Sequence, residues 1–166
     1  MSRELAATLM IIALVVLLFL VWSGWRRRVG RYADLPALLL ADDLAGSPIA
    51  TYSLLYVATT EADKPMERVA KKPLGFRARM VLGVGPEGLW LTIPGEDSVV
   101  LPATSLRGVG RATWTIDRVV DADGLVFVRW AWGERLVDSY FRSVDYPTDD
   151  LVTAIEDVVS PRKGSA

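Results

Sequence analysis

The sequence predicts an α+β protein in which one N-terminal transmembrane helix is followed by an antiparallel β-barrel of about seven strands capped by a C-terminal α-helix. Three observations carry this. Residues 5–25 contain no charged side chain. From Thr51 onward, apolar and polar residues alternate in short runs divided by Gly, Pro and Asp. After Pro147 the apolar spacing changes from two residues to that of a helix.

Leu5 to Trp25 reads LAATLMIIALVVLLFLVWSGW, 21 residues. At about 1.5 Å per residue it extends roughly 31 Å, the thickness of a bilayer's hydrocarbon core. Only Thr8, Ser23 and Gly24 interrupt it, so it has no polar face of the kind a soluble helix turns to water. Trp22 and Trp25 stand at its carboxyl end, where indoles favour the headgroup layer. A cleavable signal carries its basic residues in front of the apolar run. Here Arg26, Arg27, Arg28 and Arg31 follow it, and Arg3 in front is offset by Glu4. The positive-inside rule then predicts a single-pass protein of the cell membrane, with residues 1–4 outside. On the cytoplasmic side come a basic juxtamembrane segment and linker (26–50), a domain (51–160) and a tail (161–166).

Charge is divided between these parts. Residues 1–31 hold five arginines against one glutamate, a net of +4, and the remainder holds 14 basic against 19 acidic residues, a net of −5. An acidic cytoplasmic domain argues against nucleic acid as a partner, since phosphate binding needs an excess of basic residues. There is no cysteine and no histidine. Disulfides, thiolate metal sites, the thiol nucleophile, and the commonest general base and metal ligand are all absent. No cofactor is expected, and the sequence points away from an enzyme.

In the linker, Pro36, Gly46 and Pro48 break any long helix, and Leu38 to Leu40 are suited either to the domain or to the membrane interface. Tyr52 to Thr59 is the first strand. Glu61 to Pro73 reads as a long loop with room for a short strand. Phe76, Ala78, Met80 and Leu82 alternate with Arg77, Arg79, Val81 and Gly83, predicting a strand with one buried face. Gly85 to Gly88 turns the chain into Leu89–Ile93, and Pro94-Gly95 has the residues of a type II turn. Ser98–Leu101 and Leu106–Ile116 are further strands, the latter bent at Gly108 or Gly110. The turn-like Asp121–Gly124 leads to LVFVRWAW and RLVDSYFR, joined by Gly133-Glu134 as a type II′ hairpin. Val126, Val128, Trp130 and Trp132 share one face. Leu151, Val152, Ile155, Val158 and Val159 have helical spacing behind Pro147, with Asp149 and Asp150 at the positive end of the helix dipole. A twisted meander of this size folds on itself and accepts a helix at its open end, the outline of a pleckstrin-homology (PH)-like barrel, although composition alone also allows another small α+β barrel.

At GFRARMVLGVGPEGLWL, at LPATSLRGVGRATWTIDRVVDADGLVFVRW and at VDSYFR, the chain resembles small actinobacterial single-pass membrane proteins that carry a bacterial PH-like domain. The resemblance spans most of the chain and implies that fold at the cytoplasmic membrane, with no catalytic residues to transfer. Members are often labelled transporter or export proteins. One helix without an ionisable group inside the membrane offers neither a solute path nor alternating access.

Lys71, Lys72, Arg77 and Arg79 are the candidate ligand-binding group. Arg77 and Arg79 lie two apart on one strand face behind two lysines, a pattern similar to the basic strand of phosphoinositide-binding PH domains. Arginine forks and lysine charge suit an anionic headgroup or phosphate, and a solvated basic strand is the alternative. Gly83, Gly85 and Gly88 match G-x-G-x-x-G literally. A strand rather than a helix follows them, so they read as a hairpin. Leu101-Pro102-Ala103-Thr104 lacks the glycine and apolar tail of a sorting signal. Asp117-Arg118, Asp121 and Asp123 read as turn residues, and Trp90, Trp114, Trp130 and Trp132 as packing. The partners implied are the lipid bilayer and a cytoplasmic or membrane protein that the domain recruits as a scaffold. A sensor of anionic lipid is the second reading, and carboxylate-based enzyme chemistry a distant third.

Overall fold

The computed structural model describes residues 3–30, 32–112, 114–115, 118–119 and 124–160. Arg31, Asp117, Asp121, Asp123 and the tail 161–166 lie outside the described residues, as do the side chains of Arg28, Trp114 and Arg118. The chain divides into two compact units, residues 1–34 and 35–166.

The first unit is the helix α1 (Arg3–Gly30), whose stretch Ala7–Arg27 is long and apolar enough to cross a membrane. Its one hydroxyl near the start is satisfied within the helix, because Thr8 Oγ1 donates to Glu4 O at 2.8 Å. Back-bonding of this kind leaves no polar group seeking water in an apolar medium. At the far end the Arg26 guanidinium lies 5.3 Å from the centre of the Trp22 ring, a cation–π pairing.

The second unit contains strands β1 (Leu39–Leu40), β2 (Ala50–Glu61), β3 (Lys64–Arg68), β4 (Ala78–Gly85), β5 (Gly88–Thr92) and β6 (Val99–Pro102). These are followed by β7 (Leu106–Ala112), β8 (Trp114–Thr115), β9 (Arg118–Val119), β10 (Leu125–Trp132), β11 (Arg135–Ser143) and the helix α2 (Thr148–Val159). The main sheet is antiparallel and runs β1-β6-β5-β4-β2-β11-β10-β7, with β3 paired to β2. The expected α+β class stands. The expected closed barrel of about seven strands does not: among the described residues the sheet has nine strands and is open.

The two additional strands have clear origins. β1 comes from the linker, whose Leu39 and Leu40 pair with Val100 and Val99. β3 forms within the long loop, as its spacing allowed. Closure fails because β6 and β7 are joined by a 3-10 turn (Ala103–Ser105) and do not pair with each other. The helix α2 packs against β4, β7 and β10 instead, burying Leu151, Ile155 and Val158.

The core is built by alternation. Val126, Val128, Trp130 and Trp132 are all buried on one face of β10, as their spacing predicted. Trp130 and Trp132 stack with ring centres 5.2 Å apart, and Trp90 is buried as well. Both short turns take the expected forms. Gly95 has φ 85° and Glu96 N donates to Ile93 O at 3.1 Å, and Gly133 alone turns positive, φ 61°, between Trp132 and Arg135.

Two boundaries differ from expectation. β4 begins at Ala78, opposite Tyr56, so Phe76 is no part of its buried face and stands 78% exposed. The cause is the preceding loop, which is pinned elsewhere by Val69 N donating to Thr59 O at 2.8 Å and by the Leu74 carbonyl. The predicted strand from Leu106 to Ile116 ends its pairing with β10 at Ala112, after which β8 and β9 pair with one another.

Candidate functional site

The linker is bound at the end of the sheet where β10 turns into β11. The indole of Trp132 donates to Pro36 O at 2.8 Å, and the Lys71 ammonium donates to Leu35 O. The Pro36 ring fills the space beside Gly133, where a Cβ would stand 2.9 Å from Pro36 Cδ. Further on, Ala41 N donates to Ser98 O at 2.8 Å, so the linker is fixed to the domain on both sides of β1.

Beneath this end runs a buried chain of polar groups. Trp130 Nε1 lies 2.9 Å from Ser139 Oγ, which is 2.7 Å from Thr59 Oγ1. Thr59 Oγ1 lies 2.9 Å from the Tyr56 hydroxyl, itself 2.7 Å from Leu74 O. An indole N–H can only donate and a carbonyl can only accept, and each hydroxyl has one proton. Trp130 therefore donates to Ser139, the Tyr56 hydroxyl is directed as donor toward Leu74 O and Thr59 Oγ1, and between Ser139 and Thr59 either hydroxyl can donate. Burial holds the Tyr56 phenol well above the ordinary tyrosine range, against smaller lowering effects of Thr59 and the Arg68 charge. Through Leu74 this chain fixes the loop that carries the candidate basic residues.

Those residues are divided among several surroundings. Lys71 is engaged with Leu35 O, and Lys72 pairs with Glu96 Oε1 at 3.2 Å. Both lysines line a hollow of about 240 Å³ together with Leu38, Glu96 and Asp97, so its charge is mixed. Arg79 lines a second hollow of about 320 Å³, with Leu55, Val81, Pro94, Val144 and Asp145. Arg77 is exposed in the loop before β4. The side chains of Arg77 and Arg79 make no hydrogen bond or ion pair among the described residues.

The glycine motif has a structural explanation. Gly85 pairs with Gly88 across the β4–β5 hairpin, and Gly88 approaches Leu101 O so closely that a Cβ would lie 2.2 Å from it. At Gly83 a Cβ would lie 2.7 Å from Pro48 Cβ, because the linker crosses the sheet there. The space that a phosphate would need is occupied by the chain itself.

One charged group was missed in the sequence. Arg129 on β10 holds Asp138 on β11 in a two-pronged pair, Nε to Oδ1 at 2.8 Å and Nη2 to Oδ2 at 2.9 Å. Its Nη2 also donates to Asp63 Oδ1 at 2.9 Å. The hydrogen bond to Asp138 chiefly raises the Arg129 pKa, so the guanidinium stays charged. The signal was available once the hairpin register was drawn, since Gly133-Glu134 places residue 129 opposite 138. No three acidic side chains gather into a metal site among the described residues.

The sheet has unequal edges. β1 is two residues long, and β3 contains Pro65, which has no N–H to offer. β7 presents seven residues and, among the described residues, no strand lies on its far side.

A family model for bacterial PH domain-like proteins matches residues 34–156. The chain belongs to the bacterial PH domain-like family. The PH-like domain also matches the solution structure of the C-terminal phosphotyrosine interaction domain of APBB2 from mouse. That match has 12% sequence identity and a TM-score of 0.49, and it covers 73% of this chain and 94% of that one. No curated protein matches the chain in sequence. PH-like domains are typically modules for binding proteins or lipids, and the family residues begin at the point where the linker docks.

Proposed function

We propose that this protein is a membrane-anchored PH-like interaction module that presents its domain to the cytoplasm and recruits a protein partner by strand addition. The inequality of the sheet edges carries this reading. An extended segment that adds a strand gains main-chain hydrogen bonds along the edge and specificity from alternate side chains. β7 is the edge long enough to offer this, and Gly108, with open space where a Cβ would stand, leaves room beside it. The apolar span Ala7–Arg27 supports the anchor. Arg26, Arg27, Arg28 and Arg31 support an orientation with the amino terminus outside.

Proximity labelling from the carboxyl terminus of the full-length protein tests recruitment. Enrichment of specific cytoplasmic proteins is expected, and Gly108→Lys should reduce it without unfolding the domain. Unchanged labelling by that variant removes the β7 route, and the absence of any enriched protein removes recruitment itself. Protease added to intact spheroplasts should leave the domain uncut. Cleavage there overturns the orientation.

A further inference from the structure

We infer that residues 35–41 form a releasable strap, which closes the β6 edge in cis and gives way to an extended proline-leucine segment of a partner. The chain itself shows what fits. The strap runs Leu35-Pro36-Ala37-Leu38-Leu39-Leu40-Ala41 and lies along the edge as a bound segment would. The Pro36 carbonyl accepts the Trp132 indole N–H at 2.8 Å, and the Pro36 ring fills the space beside Gly133. Leu39 and Leu40 then pair with Val100 and Val99, and Ala41 N donates to Ser98 O at 2.8 Å. Main-chain bonds along a sheet edge, with a side-chain contact to set the register, are the elements of strand addition.

What the strap lacks is burial. Of residues 35–49 only Leu35 is buried, and Leu39 and Leu40 remain 45% and 44% exposed. The fit is also incomplete. Ala37, Leu38 and Leu40 of the strap line a hollow of about 240 Å³ together with Lys71, Pro73 and Val99 of the domain. A segment held by hydrogen bonds with little apolar burial opens before the fold does. The sheet under it does not depend on it, because Val99, Val100, Leu101 and Pro102 all keep their pairing with β5. The two stacked indoles report the two levels separately. Trp132 bonds to the strap, and Trp130, with its ring centre 5.2 Å away, bonds to Ser139 inside the core.

A partner segment competes with the strap, so its apparent affinity scales with the fraction of molecules whose strap is open. Lys71 bears on that fraction, because its ammonium donates to Leu35 O at the start of the strap. Removing this charge-assisted bond should raise the open fraction about tenfold.

The test uses the full-length protein in detergent micelles, isotopically labelled on tryptophan, with a synthetic peptide of residues 34–44 as the probe. Hydrogen exchange at the Trp132 indole should be about 100-fold faster than at Trp130. Lys71→Met should speed exchange at Trp132 about tenfold, leave Trp130 unchanged and tighten peptide binding by the same factor. Bound peptide should slow Trp132 in that variant, since its proline carbonyl replaces that of Pro36. The chain has no cysteine, so Leu39→Cys with Val100→Cys, oxidised to a disulfide, makes the opposite change and locks the strap. Peptide binding should then be lost. Equal exchange at the two indoles overturns the strap as a separately opening unit. Fast exchange at Trp132 with no peptide binding to Lys71→Met overturns the partner site. Peptide that binds while Trp132 exchange stays fast, or that still binds the locked protein, sits elsewhere and overturns closure of the β6 edge.

Discussion

Removing the Ser139 hydroxyl should cost far more than removing a serine hydroxyl at the surface. Ser139 is fully buried, accepts from the Trp130 indole at 2.9 Å and shares a hydrogen bond with the Thr59 hydroxyl at 2.7 Å. In Ser139→Ala the indole N–H is left with no acceptor in a dry interior, a penalty of about 1–3 kcal/mol, and the bond to Thr59 loses about 1 kcal/mol more. The downstream contacts survive, since the Tyr56 hydroxyl still faces Thr59 Oγ1 and Leu74 O. The sum is about 2–4 kcal/mol, a large share of the roughly 5–15 kcal/mol that holds a domain folded. For a domain of this size each kcal/mol moves Tm by about 3–5 °C, so Tm should fall by about 6–20 °C. Melting the full-length protein in detergent micelles by near-ultraviolet circular dichroism measures it, because stacked Trp130 and Trp132 report tertiary packing. Ser143→Ala is the control, its hydroxyl donating to Tyr146 O in a surface turn. A shift for Ser139→Ala no larger than for Ser143→Ala would refute the chain as a buried stabilising element.

Four other substitutions probe other parts of the fold. Gly88→Ala drives a methyl into Leu101 O at a φ of 153°, and should destabilise by about 2–5 kcal/mol in chemical denaturation. Arg129→Met leaves the Asp138 carboxylate, 5% exposed, beside Asp63 without its cation, a loss of about 3 kcal/mol. Adding Asp138→Leu should recover more than half of that loss, and a double-mutant cycle on the denaturation midpoint checks it. Burial raises the folded-state pKa of Tyr56, so its stabilising contribution is complete below the unfolded tyrosine value of about 10. It is lost as pH rises past that value toward the raised one. Tyr56→Phe should flatten that alkaline fall in Tm measured against pH.

Much of the fold was legible because its signals are local. An uninterrupted apolar run, period-two alternation and turn residues with fixed φ each point to one structure, and α1, β10, Gly95 and Gly133 followed them. What escaped depends on partners distant in sequence. Phe76 continues the alternation of Met80 and Leu82, but the Leu74 carbonyl, taken by Tyr56, keeps it out of the sheet. Leu39 and Leu40 gave no periodic signal, and they form a strand only because β6 offers an unpaired edge. The basic cluster joined residues near in sequence. In the fold Glu96 and Leu35 each take one of its lysines, and Arg77 and Arg79 are left apart. Arg129 and Asp138 are nine residues apart, and only the hairpin register makes them neighbours.

The unequal edges also limit how copies of this chain can associate. Growth into a fibre needs two complementary edges on each molecule, one to receive and one to offer. Here β1 is two residues long and β3 carries Pro65, so neither can template a neighbour. Pairing of β7 with β7 of a second copy uses the same surface twice and is complete after one contact. Among the described residues, association through the edges of the main sheet therefore terminates at a two-fold pair.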